Sequence, residues 1–249
     1  MCFVLIALQA HPRYPLIVLA NRDEFYERPT EPMHEWPEPD GLIAGKDLKS
    51  GGTWMGVDKT SGKLALVTNF REPEVRAGER SRGLLVLDFF RSDMDTFERQ
   101  LFQQSESYSG FNLLYGTPHD LRYHSNRGRQ AERISPGVHG LSNGLLDDAW
   151  PKVVRGRKML EEVLEYAEPD RESFFRILED REGAPDEELP QTGVSLELER
   201  SLSPIFIRLE RYGTRCSSVL MVGSDGGFSV MEKTHSAGGE LAVFQFEVR

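Results

Sequence analysis

The chain has 249 residues, 39% hydrophobic and 28% charged, with 30 Lys and Arg against 40 Asp and Glu and a net charge of −10. An acidic chain of this kind has no global attraction for a phosphate backbone, so nucleic acid is excluded as the expected partner. No apolar run approaches the roughly 18 residues that a membrane helix needs, the N-terminus lacks the basic stretch and cleavage site of a signal peptide, and two cysteines, Cys2 and Cys216, are too few for a disulfide scaffold, so a soluble cytoplasmic protein is expected.

Two apolar runs open the chain. Residues 2–10 and 15–20 read as a hairpin turned through His11, Pro12, Arg13 and Tyr14. Their near-continuous apolar character predicts a sheet covered on both faces. The second run delivers Asn21, Arg22, Asp23 and Glu24, four polar residues at the end of a buried strand. Residues 25–40, rich in Pro and Glu, predict an extended loop. Short strands are expected over 42–44, 53–57 and 63–68, with turns at Gly51-Gly52 and 58–62, and the last strand ends on Asn69. Residues 72–82 are charged and predict a solvent-facing loop.

Residues 82–91, with Leu84, Leu85, Leu87, Phe89 and Phe90, predict a buried helix, and 95–104 place Phe97, Leu101 and Phe102 at helical spacing. Strand character returns at 111–115 and 121–124, and 138–143 is a short apolar segment with a polar end. Residues 150–166 form the strongest helical pattern, Val153, Val154, Met159, Leu160, Val163 and Leu164 recurring every three to four residues, with Pro151 in the tolerant first turn. A further helix is expected at 172–178. Residues 181–199 are acidic and aperiodic and predict a long loop. Strands over 214–222, 228–233 and 241–248 close the chain, with a turn at 223–227. This order predicts a single domain, 1–249, in which N- and C-terminal strands share one sheet system with helices packed outside.

Removal of Met1 would make Cys2 the N-terminal residue, and its α-amine could then take the proton of its own thiol. An α-amine titrates near neutrality, at about 7.7–8.0 in model peptides, so no histidine is needed. The alternative is a buried apolar cysteine at a strand start.

Met1-Cys2, the Ala-Asn-Arg-Asp-Glu-Phe run at 20–25, Arg28-Pro29, Gly51-Gly52-Thr53-Trp54-Met55-Gly56, Thr68-Asn69-Phe70, Leu141-Ser142-Asn143 and Tyr212-Gly213-Thr214-Arg215 resemble, in this order, the NRDE family, the family of Transport and Golgi organisation protein 2. The tetrapeptide alone is a weak signal; the ordered set is specific. The resemblance implies an α+β fold, a four-layer αββα sandwich of the N-terminal nucleophile hydrolase type, similar to penicillin V acylases and bile salt hydrolases. Those enzymes lose Met, cleave a C–N amide bond, and use the N-terminal Cys, an Arg and an Asp after the second strand, two Asn and a late Arg. On this chain the pattern falls on Cys2, Arg22, Asp23, Asn69, Asn143 and Arg215. The acylases separate the Arg and the Asp by two residues; here they are adjacent, and adjacent strand residues face opposite sides.

The resemblance implies Cys2 as nucleophile on an acyl amide or thioester. Asp23 would hold the α-amine or thiol, Arg22 would favour the thiolate or bind a substrate carboxylate, and Asn69 and Asn143 would hold the oxyanion. A strand-closing Arg–Asp network and turn asparagines are the alternatives. Arg215 beside a buried strand needs an anionic partner, either a substrate carboxylate or Asp23 or Glu24. Cys216 should face the other way, into the core. Asn21, Glu24 and Trp54 are expected around the substrate, with a core or turn role for Trp54, Gly51 and Gly52 the equal alternative.

The six histidines, His11, His34, His119, His124, His139 and His235, show no zinc spacing, so no metal is expected, and there is no Walker loop or Gly-x-Gly-x-x-Gly. No cofactor is required. The family is also implicated in haem trafficking and in lipid and acyl-CoA homeostasis. A haem carrier, with Arg22, Arg215 or the arginines of 71–82 on the propionates and Cys2 or a His on iron, is therefore the second expectation. An interaction scaffold on the same fold is the third.

Overall fold

The computed structural model describes residues 3–73, 80–128, 131–235 and 239–248. Cys2 and residues 74–79 of the charged segment lie outside these. The strands are β1 (Phe3–Leu8), β2 (Leu16–Phe25), β3 (Thr30–Glu35), β4 (Leu42–Asp47), β5 (Met55–Asp58), β6 (Leu64–Asn69), β7 (Phe111–Thr117), β8 (Asp120–Ser125), β9 (Glu132–Arg133), β10 (Gly137–Leu141), β11 (Tyr212–Val222), β12 (Gly227–Thr234) and β13 (Leu241–Glu247). The helices are α1 (Gly83–Phe90), α2 (Met94–Gln104), α3 (Pro151–Leu164), α4 (Arg171–Leu178) and α5 (Leu196–Leu202).

Two antiparallel sheets form. One has the order β10-β1-β2-β11-β12-β13, the other β3-β4-β5-β6-β7-β8-β9. The N- and C-terminal strands thus share a sheet, joined where β2 pairs with β11. Strand alternation sorts the side chains into layers. Val4, Ile6, Val18 and Ala20 meet Met55, Val57, Leu64 and Leu66 of the other sheet. Phe3, Leu5, Ile17 and Leu19 point the other way, onto Val153, Leu160, Phe174 and Leu178 of α3 and α4. Beyond the second sheet, Ala65, Val67, Leu113 and Tyr115 pack on Leu85, Phe89, Phe97 and Leu101 of α1 and α2. The architecture is the expected helix–sheet–sheet–helix sandwich. Double coverage explains why β1 carries no polar residue.

Three local expectations are corrected. Residues 25–40 contain β3, which pairs with β4 through Thr30, Glu31, His34 and Glu35; only its Met33 is buried, so its sequence looks like loop. Residues 181–199 run into α5, capped by Ser195, which accepts from the Leu198 amide. That helix buries Glu199 and exposes Leu196 and Leu198, so no apolar period announces it. Finally, β2 runs past residue 20 to Phe25, so Asn21, Arg22 and Asp23 lie within the strand and not only at its end.

Two devices hold the end of the sandwich where the sequence motifs lie. Gly45 of β4 lies against the Trp54 indole, and a Cβ there would stand 2.2 Å from Trp54 Cζ2. The loop after β10 is folded back by Asp147, which takes the Gly140 amide at 2.9 Å and His139 Nδ1 at 2.7 Å. Asn112 pins the same loop to the second sheet, donating to Thr68 Oγ1 at 3.1 Å and to the Gly144 carbonyl at 2.8 Å. The hydrogen bond to Asp147 raises the His139 pKa against the opposing effect of burial.

Gly45→Ala should displace Trp54 and cost about 1–3 kcal/mol, read as a lower melting temperature together with a shifted tryptophan emission. His139 contributes stability that is complete below its unfolded value of about 6.5 and is lost as pH rises through its higher folded value. Melting curves of the wild type and His139→Gln should therefore differ most below about pH 6.5 and draw together as pH rises above it.

Candidate functional site

The β1–β2 ladder has its turn end at Leu8 opposite Leu16 and its open end at Phe3 opposite Asn21. At that open end Leu141 of β10 pairs with Val4, and Asn21, Arg22 and Asp23 pair with Ser217, Cys216 and Thr214 of β11. Asn143 Nδ2 reaches the Asn69 carbonyl of the second sheet at 2.9 Å. Motifs far apart in the chain therefore meet at one end of the sandwich.

Arg22 points between the sheets and is only 4% exposed. Its guanidinium carbon lies 4.2 Å over the Trp54 ring and its Nη2 is 3.6 Å from Asp47. Asp47 also receives Arg28 Nε at 2.6 Å and the amides of Lys49 and Ser50 at 3.0 and 3.1 Å. Burial raises the Asp47 pKa, but Arg28 and these amides outweigh it and leave the carboxyl below its usual value. Glu24 lies 3.6 Å from Arg28 and takes the Phe25 amide at 2.9 Å. The ring face gives the buried cation a partner worth about 0.5–2 kcal/mol, and the shared carboxylate supplies its counter-charge. Trp54 Nε1–H is buried without a hydrogen-bond partner among the described residues.

Asp23 and Asn21 point the other way, as adjacency requires. Asp23 accepts from Thr214 Oγ1 at 2.6 Å, and Thr214 Oγ1 in turn accepts the Ile207 amide at 2.9 Å. Asn21 is fully buried. Its amide donates to the Leu178 and Ile205 carbonyls at 2.7 and 3.0 Å, and its oxygen accepts from Ser217 Oγ at 2.6 Å. These bonds tie β2 to the end of α4 and to the chain before β11. Asn21 is a brace between layers, with its side-chain groups committed to the fold.

Arg215 corrects an expectation. A bulge between Thr214 and Cys216 displaces it from the ladder. Its guanidinium donates to the Phe25 and Arg28 carbonyls at 2.8 and 3.0 Å and to Thr30 Oγ1 at 3.3 Å. Neither Asp23 nor Glu24 forms an ion pair with it. Burial and the neighbouring Arg22 push its pKa down. Asn143 is likewise committed. Besides the bond to Asn69, its Oδ1 accepts from Arg71 Nη2 at 3.4 Å and its backbone carbonyl takes the Arg71 amide at 2.7 Å. Asn143 holds the Asn69–Arg71 corner, and only its second amide hydrogen remains for other use.

Three contributors have no counterpart in the sequence reading: Asp47, Glu232, and the Ser217–His235 pair. Glu232 is 1% exposed, between the sheets, and accepts the Met33 amide at 2.7 Å and Ser218 Oγ at 3.3 Å. Burial raises its pKa. It occupies the face that Phe228 and Val230 share, so a carboxylate at a core position of a period-two strand was its signal. Cys216 stands beside it in the core, its thiol pushed well up by burial, which makes it a packing residue rather than a nucleophile. Ser217 Oγ lies 2.8 Å from His235 Nε2. Ser217 donates to Asn21, so it accepts from His235 Nε2–H, and this sets the tautomer of the imidazole.

No helix among the described residues is long and apolar enough to cross a membrane. Residues 1–237 match the family model described as Transport and Golgi organisation 2. The chain is 33% identical over 260 residues to the Transport and Golgi organization protein 2 homolog of Bos taurus, covering 94% of this chain and 93% of the relative. It is 30% identical over 257 residues to the homolog of Homo sapiens, with the same coverage of both chains. Among solved structures, a Caenorhabditis elegans N-acylethanolamine-hydrolyzing acid amidase ortholog aligns over 88% of this chain and 92% of its own, at 12% identity and a TM-score of 0.43. On the family match and these identities, the chain belongs to the Transport and Golgi organisation 2 family.

Proposed function

We propose that this chain is an N-terminal-nucleophile-type hydrolase in which Cys2, exposed by removal of Met1, cleaves an acyl amide or thioester. The observation that carries this reading is the convergence at the open end of the first sheet. β1 begins at Phe3, opposite Asn21, and the same end of the sandwich carries Arg22 over Trp54 and the Asn143 contact with Asn69.

The thiol passes its proton to the α-amine, and the sulfur attacks the acyl carbon. The C–N bond (or the C–S bond of a thioester) breaks, and the leaving group takes that proton. Water then attacks the acyl-cysteine with the amine as base, releasing the acid and regenerating the thiol. Arg22 favours the thiolate. The Trp54 indole N–H is buried without a hydrogen-bond partner among the described residues, which suits it to the oxyanion together with the Asn69 side-chain amide. Asp23 holds the amine, and Asn143 acts as a positioning residue through the Asn69 carbonyl.

A haem or acyl-CoA carrier is the second reading, favoured by the half-buried Arg215 charge that no carboxylate balances at ion-pair distance among the described residues.

Intact-mass measurement of untagged protein against a panel of acyl amides and acyl thioesters should show Met1 absent and an acyl adduct on Cys2. Cys2→Ala should abolish both adduct and turnover, and Asn69→Ala should lower kcat roughly 10²–10³-fold while leaving the melting temperature in place. Retention of Met1, or full turnover by Cys2→Ala, would overturn the hydrolase. A Soret shift with tryptophan quenching on haem titration would then favour the carrier.

A further inference from the structure

A cavity of about 560 Å³ opens where Arg181, Arg208, Arg215 and His235 come together, walled by Phe206 and Tyr26 and carrying one carboxylate, Glu210. The three arginines arise from separate places in the fold. Arg181 follows α4. Arg208 sits in the tight connection that bridges to Gly213 ahead of β11. Arg215 is the bulged residue of β11.

None of the three lies within ion-pairing distance of a carboxylate among the described residues. That is unexpected in a chain with 40 acidic against 30 basic residues. Arginines elsewhere do find acids: Arg155 pairs with Asp180, Arg200 with Asp186 and Arg211 with Glu27. Around this cavity positive charge is concentrated instead. The Arg215 guanidinium is clamped by two carbonyls and a hydroxyl, and the Arg181 guanidinium carbon lies 4.9 Å over the Phe206 ring. His235 packs edge-on against the same ring at 4.8 Å and is fixed by Ser217. Arg181 and Arg208 line the cavity with His235, and planar guanidiniums match the oxygens of a phosphate or carboxylate. A volume of this size admits a small organic molecule.

We propose that this cavity is a binding site for a small organic anion carrying at least two negative charges, a phosphate ester or a polycarboxylate. Arg181 and Arg208 hold its charged end, Arg215 adds positive charge at the wall, and Phe206 and Tyr26 pack against its body. This goes beyond the hydrolase reading and does not depend on Cys2.

Calorimetric titration at low ionic strength with pyrophosphate and, separately, with citrate tests it on the full chain. At least one of the two should bind. The double variant Arg181→Gln/Arg208→Gln should weaken that binding by at least roughly tenfold with an unchanged melting temperature. Arg200→Gln, which removes a charge outside the cavity, should leave it unaltered. Cys2→Ala should bind as the wild type does, so failure of the hydrolase and failure of this site are separable. Pyrophosphate binding without citrate binding assigns a phosphorylated ligand, and the reverse assigns a polycarboxylate. Absence of binding by both, survival of binding in the double variant, or an equal loss in Arg200→Gln would overturn the proposal.

Discussion

A guanidinium buried between two sheets sets the terms for its whole surroundings. Desolvating the Arg22 charge costs several kcal/mol unless the fold supplies partners. The partners come from the opposite sheet: the face of Trp54, and Asp47 at the end of β4. Each demand passes to a further residue. The indole needs a glycine beneath it, at Gly45. Asp47 is shared with Arg28 and anchors the amides of Lys49 and Ser50, so the turn leading to Gly51-Gly52 is shaped by the same carboxylate. Arg28 reaches back toward Glu24. The run from Asn21 to Glu24 and the turn before Trp54 are one electrostatic unit spanning both sheets.

The other face of β2 does different work. Asn21 and Asp23 alternate with Arg22 and so meet the helical side. Asn21 satisfies the carbonyl of Leu178, which the end of α4 leaves open, and that of Ile205. Asp23 braces Thr214, and Thr214 holds the Ile207 amide. A single tetrapeptide thus fastens the sheet to its partner sheet through one residue and to the helical layer through its neighbours. Structural and chemical roles are compatible here, because residues proposed to act on a substrate must first be held still.

Much of this was legible in the chain. The continuous apolar character of residues 2–10 announced double coverage, and Leu84 to Phe90, Phe97, Leu101, Val153 and Leu160 announced the helices that provide it. The ordered motifs named the residues that assemble at one end of the sandwich. Less visible were elements whose burial is slight: β3 buries only Met33, and α5 buries only Glu199. Glu232 was visible in principle, as a charge on a core-facing position, but its partners Met33 and Ser218 lie on other strands.

The sequence by itself determined the elements with a strong apolar period, the two-faced first sheet and the family, because each rests on local patterning or on residue identity in order. Only the tertiary structure decided what each polar group touches. A one-residue bulge sends Arg215 to carbonyls instead of an acid. The pinned loop after β10 commits one amide hydrogen of Asn143 to Asn69. Layer packing brings Arg181, Arg208 and Arg215 around one cavity without a counter-charge at ion-pair distance among the described residues. Hydrogen bonds and ion pairs act over a few ångströms, and which groups come that close is set by register and by how layers stack, neither of which is written in any one stretch of the chain.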